Sequence, residues 1–231
     1  MIAIRSASDG SFFIPRPDAE TEEYLDSKHV RLANQLRWVS RIPDVLDSYG
    51  GIYLNQTAHI VGKGPSLDVL KSEPFVDGGP IFCINESIHK VESLSLVNPL
   101  YCVQLDNELG ESCKPEKPAT KIFVSPRCGN LYGDNVAKVV VDPRALHLPE
   151  DCLSAQVAIV LAQHFGCNNG IMHCFDGCTG TDYKYAKCIG YDSAKGGAKI
   201  RFKSHRKVLV ETAAKWHLGW RTPTGFMQEA L

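Results

Sequence analysis

The chain has 231 residues, of which 44% are hydrophobic and 22% charged, with a formal net charge of -1. That length points to one α/β domain with decorations, able to bury a sizeable core without disulfides or metals. The near-neutral charge argues against a protein that coats nucleic acid, although a local basic patch stays open.

In chain order, the residues up to about Pro17 carry turn signals in Asp9-Gly10 and two prolines, and suggest a short hairpin or arm. From Asp18 to about Ser48 the pattern is helical. Leu25, Leu32, Leu36, Val39 and Leu46 recur at helix-like spacing, Asp18 suits an N-cap, and Pro43 divides the stretch into two helices. These helices would pack outside the core, on their own domain or against a second subunit. The division is therefore an arm and helices over 1–55 and a nucleotide-binding domain over 56–231.

The core begins with a short buried strand, Ala58 to Val61, and a helix opening over Ser66 to Lys71. Further apolar strands are expected at Pro80–Ile84, Leu100–Leu105, Lys121–Val124 and Lys138–Val141, a strong helix at Ser154–Phe165, and a strand at Gly170–Phe175. Val208 to Trp220 reads as a final helix. Short continuous apolar strands alternating with helices predict a Rossmann-like α/β fold, a mainly parallel sheet covered on both faces, with an N-terminal helical extension.

None of the nine cysteines is paired at C-x-x-C spacing. Cys174 and Cys178, beside His173, lack the second ligand pair that a zinc site would need, so no metal is assigned. Cys83, Cys102 and Cys174 lie in apolar runs and read as small core residues. An odd cysteine count without a signal peptide suggests a reducing cytoplasm. No apolar run approaches the roughly 20 residues that span a bilayer.

The chemistry-bearing feature is Gly62-Lys63-Gly64-Pro65-Ser66 after the first core strand. Two glycines allow a ligand to approach the backbone, Pro65 suits a first helical turn, and Ser66 could cap the helix or donate to a phosphate or ribose. A helix N-terminus there would favour an anion. The spacing is neither G-x-x-x-x-G-K-[ST] nor G-x-G-x-x-G. On its own the loop reads equally well as a tight strand-to-helix turn.

The run G-x-G-P-S-L after an apolar strand resembles the bacterial CMP-sialic-acid sialyltransferases and the family of the 6-hydroxymethyl-dihydropterin pyrophosphokinases. Both are Rossmann-like, and in both this loop faces the nucleotide. Phe82-Cys83-Ile84-Asn85-Glu86 is similar to the sialyltransferases' second strand, which implies a nucleotide or sugar contact for Asn85. Asp106 and Asn107 end the third strand, where one group carries asparagine and the other aspartate. The helix from Ser154 resembles one whose serine touches the nucleotide sugar. Asp176-Gly177 resembles the G-x-D turn of both groups, with Cys174 in place of the usual glycine. Tyr183 and Tyr185 lie where the sialyltransferases use tyrosines near phosphate. Ser204-His205 precedes the last helix as their catalytic histidine does. The sialyltransferases' long lid is shortened here.

The resemblance implies a glycosyltransferase-like enzyme with a nucleotide-activated sugar donor and His205 as general base, since a neutral imidazole can take a proton from an attacking hydroxyl. A surface histidine before a helix is the plain alternative. The second implication is an ATP-dependent pyrophosphokinase-like enzyme with Mg²⁺ bound through Asp106. The third is a non-catalytic nucleotide-binding module that kept the fold. Between Lys195 and Arg221 eight basic residues face one acid, Glu211, which suits a diphosphate, a phosphorylated acceptor, a nucleic-acid acceptor, or simply a solvated face.

Overall fold

The computed structural model describes residues 5–6, 12–13, 48–128, 131–132, 136–149, 152–175, 185–189, 207–209 and 211. The expected helices of 18–48 lie outside these residues, as does most of the expected C-terminal helix; 207–209 and 211 are helical. Near the start, β1 (Arg5–Ser6) pairs antiparallel with β2 (Phe12–Phe13).

The core is a six-stranded, all-parallel sheet. Its strands are β3 (Thr57–Val61), β4 (Ile81–Ile84), β5 (Leu100–Gln104), β6 (Lys121–Val124), β7 (Lys138–Val140) and β8 (Asn169–His173). Their spatial order is β7-β6-β5-β4-β3-β8. All of β4 and β5 is buried, as parallel strands covered on both faces require. The α/β fold read from the apolar runs is therefore present. No helix among the described residues is long and apolar enough to cross a membrane.

Two α-helices lie on opposite faces. α1 (Ser87–Ser93) buries Ile88 and Val91 with Leu67, Cys83 and Cys102 on one face. α2 (Ser154–His164) lies on the other, with Ala155 through Ala162 all buried against Ile60, Phe82, Val103 and Phe123. At the N-terminus of α2, Gln156 Oε1 accepts the Leu153 N–H at 2.9 Å. At its other end the His164, Phe165 and Gly166 carbonyls accept N–H groups from Gly51, Tyr53 and Asn55. The loop before β3 thus satisfies the carbonyls that a helix end leaves without partners. Gly166 has φ +93°, and a Cβ there would stand 3.0 Å from Gly51 Cα.

One expected helix is absent. After the glycine loop the chain makes a five-residue 3-10 turn, Pro65–Val69, and Leu70 is already extended. A second short turn, Glu73–Phe75, follows. Pro74 accounts for the break, since it has no N–H and its ring would clash with the carbonyl four residues earlier.

Candidate functional site

The strand order places a topological switch between β3 and β8: β4 through β7 spread to one side of β3, and β8 returns to the other. Ligands of open α/β sheets bind at such a crevice, outside the carboxyl ends of the strands. The segments there are Gly62–Gly64 after β3, Asn85–Glu86 after β4, Leu105–Asp106 after β5 and Cys174–Phe175 after β8.

The glycine loop is fastened to β8. Gly62 N–H donates to the His173 carbonyl at 2.8 Å, and Gly64 N–H to the Cys174 carbonyl at 2.7 Å. A Cβ on Gly62 would fall 2.7 Å from the Cys174 carbonyl oxygen and 3.1 Å from the Phe175 ring. Packing therefore explains glycine at 62, and two N–H groups expected to face a phosphate are engaged within the fold. Pro65 and Ser66 belong to the short turn, whose N-cap is Gly64 and whose start carries no side-chain cap.

Lys63 is also held. Its Nζ lies 3.0 Å from Glu86 Oε2, with the two side chains 9% and 7% exposed. It stands 4.5 Å from the centre of the half-buried Tyr185 ring, a cation–π distance. The Ser112 hydroxyl donates to Glu86 Oε1 at 3.2 Å. The same loop meets the segment 185–189 twice more. Ala186 N–H donates to the Lys63 carbonyl, and Asp68 accepts the N–H groups of Lys187 and Cys188, each at 2.9 Å. Burial pushes the Asp68 carboxyl up, but these N–H groups outweigh it and hold it below its ordinary value.

Asn85 follows β4 with φ +53° and is 8% exposed. Its backbone is tied in: the N–H donates to the Val103 carbonyl, and its carbonyl accepts from Ile88. Among the described residues its buried side-chain Oδ1 has no hydrogen-bond partner. A buried amide oxygen lacking a partner costs on the order of 1–3 kcal/mol, so the group calls for an explanation.

Ser154, half-buried at the start of α2, accepts the Leu105 N–H at 3.3 Å and ties α2 to the end of β5. Asp106 is exposed there, and Asn107 opens the 3-10 turn Asn107–Cys113. Among the described residues no three histidine, cysteine or carboxylate side chains cluster closely enough to hold a metal ion. Asp176, Tyr183, His205 and Cys178 lie outside the described residues.

The structure brings forward residues that the sequence reading passed over. Glu86 binds Lys63 through one carboxylate oxygen and accepts the Ser112 hydroxyl on the other. His59, wholly buried in β3, binds His173 of β8 through Nδ1 and Nε2 at 3.0 Å, and binds Asp77 through its other nitrogen at 2.7 Å. A signal for the pair existed, since each histidine interrupts an apolar strand. His173 is a hydrogen-bonded core histidine. Burial and the neighbouring His59 lower His173 to about 4, against the opposing pull of Asp77. Cys83, Cys102 and Cys174 are buried, as expected of core thiols.

No protein-family model matches the chain, and no curated protein matches it.

Proposed function

We propose that the chain is a transferase that binds a nucleotide-activated sugar donor at the β3–β8 switch point. The observation that carries this reading is Asn85, whose buried Oδ1 has no donor among the described residues and stands at the carboxyl edge of the sheet, beside the glycine loop. A ligand hydroxyl or amino group would supply that donor. The resemblance of the G-x-G-P-S-L run supports the choice of donor class.

In this reading Gly62 and Gly64 contribute shape rather than N–H groups, because both donate to β8. Lys63 and Tyr185 line the loop, Ser66 and Asn85 hold nucleotide and ribose, and Ser154 with the Asp176 turn completes the pocket. Tyr183 and the basic 195–221 stretch would offset charge on the leaving phosphate. His205 takes the proton of the acceptor hydroxyl as that oxygen bonds to the sugar carbon, and the nucleotide leaves with the electron pair of the broken bond.

The test is a thermal-shift panel of CMP, UDP, GDP, ADP and ATP, each with and without Mg²⁺, since binding to the native state raises apparent stability. A metal-independent CMP or nucleotide-diphosphate response, lost in Asn85→Gly, is the expected result. Glycine keeps the left-handed backbone and removes only the amide. An undiminished response in Asn85→Gly sinks the assignment of Asn85. An ATP response that requires Mg²⁺ would instead favour the pyrophosphokinase-like reading. Full transfer activity in His205→Ala would remove that residue as the base.

A further inference from the structure

His59, His173 and Asp77 form a continuous hydrogen-bonded chain across the β3–β8 seam. Asp77 Oδ1 accepts the Gly79 N–H at 3.1 Å, so it is an acceptor, and His59 Nε2 must donate to it. With the ring neutral, His59 Nδ1 is then the acceptor, and His173 Nε2 must donate to it. That leaves His173 Nδ1 with a lone pair, and this buried atom has no hydrogen-bond partner among the described residues. For neutral rings the tautomers follow from that one backbone N–H.

The surroundings isolate this end of the chain. The two imidazoles stack with centres 5.2 Å apart, and the Phe75 ring packs on both, 5.2 Å from His59 and 5.1 Å from His173. His173 is 2% exposed and His59 0%, whereas the Asp77 side chain is 42% exposed. Among the described residues, the titratable or charged groups facing His173 are His59 from β3 and Asp77 from the loop before β4, while Phe75 from the turn before that loop is apolar.

The seam carries the glycine loop. His173 supplies the carbonyl that receives Gly62 N–H, and Cys174 the one that receives Gly64 N–H. Below the loop, β3 and β8 pair from Thr57–Asn169 to Val61–His173.

We propose that the Asp77–His59–His173 chain is a proton-operated latch on the glycine loop. A proton from solvent adds to His173 Nδ1, the one ring nitrogen of the pair without a hydrogen bond, and no other bond need break. The positive charge is then shared by the two imidazoles through their hydrogen bond, and His173 Nδ1 becomes a buried donor with no acceptor among the described residues. A buried donor left without an acceptor is costly, and the strain falls on the strand end that holds Gly62 and Gly64. Acid therefore loosens the loop before it unfolds the sheet. The inference concerns this seam and does not depend on the transferase reading.

The experiment follows amide hydrogen exchange and the His173 ring resonances by NMR on the full chain from pH 7 to pH 4. Ile122, whose N–H donates to Ala137 on the far side of the sheet, reports the sheet as a whole. The expected result is that protection at Gly62 and Gly64 lies below that at Ile122 and falls about tenfold per pH unit below pH 6.5. Ile122 falls in parallel from its higher level, because global unfolding also frees His173. In His173→Gln, which keeps a donor for His59 and cannot titrate, protection at Gly62 and Gly64 should not change with pH. Asp77→Asn removes the carboxylate that favours protonation and should lower the pH at which the His173 ring resonances shift. Protection at Gly62 and Gly64 equal to that at Ile122 overturns the latch, as does an unchanged fall in His173→Gln. If His173→Gln does not fold, the wild-type gap between Gly62 and Ile122 and the direction of the Asp77→Asn shift decide the matter alone.

Discussion

The two faces of the sheet are built from different chemistry. The face under α2 is aromatic and aliphatic. Phe165 sits among the rings of Tyr49, Phe82, Tyr101 and Phe123 at centre distances of 4.9–5.8 Å. The opposite face, under α1 and the 3-10 turns, buries Cys83, Cys102, Cys113, Cys128 and Cys174, and the neighbouring His59–His173 pair. Beside them lie the Lys63–Glu86 pair and Glu92, whose carboxylate accepts from Glu116 N–H, Lys117 N–H and the Thr120 hydroxyl. The contrast teaches that one face supplies apolar burial, while the other holds loops in place with polar bonds that each need a particular partner.

The largest effect that would break this contrast comes from the apolar face. Phe165→Ala should cost about 3–5 kcal/mol in denaturant unfolding, because the neighbouring rings cannot collapse into the space. A loss below about 1 kcal/mol would mean that this face is not the stabilising one.

Next comes an acid limb from the polar face. The folded His173 lies at about 4 against an ordinary 6.5, so between those values the unfolded chain binds more protons. Stability from this group is full above pH 6.5 and falls as pH drops towards 4, by about 3 kcal/mol in all. Chemical unfolding at a series of pH values should show this slope in the wild type and a flatter one in His173→Gln. Equal slopes would remove the histidine as the cause.

The smallest effect is kinetic. Burial pushes the Cys83 and Cys102 thiols well up, and takes Cys113 to about 12. Cys188 is exposed, though burial of its sulfur and the Asp68 carboxylate raise it to about 11. Because the thiolate is the nucleophile, native alkylation of these four should be slow and reach Cys188 before the other three. Earlier labelling of Cys102, read by peptide mass mapping, would show that the polar face opens readily.

The strands were legible because each is a short, nearly continuous apolar run, and expected and observed limits differ by a residue or two. Lys121–Val124 agrees at both ends. α2 was legible from its apolar and alanine content. The helix after Ser66 was misread because the local pattern carries no measure of how far Pro74 shortens it. The candidate site was legible only in part. Asn85 and Ser154 stand at the carboxyl edge, where the residue pattern suggested, but Lys63 was read as facing a ligand and is bound to Glu86 and Tyr185.

By itself, then, the sequence determined the parallel α/β architecture and the presence of a glycine turn after its first core strand, because apolar runs and chain-breaking residues act locally. Tertiary structure alone decided that β8 returns beside β3 and that Gly62 is packed against Cys174 and Phe175. It also decided that His59 meets His173, 114 residues away. These are contacts between distant segments, set by which strand lies next to which, and a local residue pattern does not encode them.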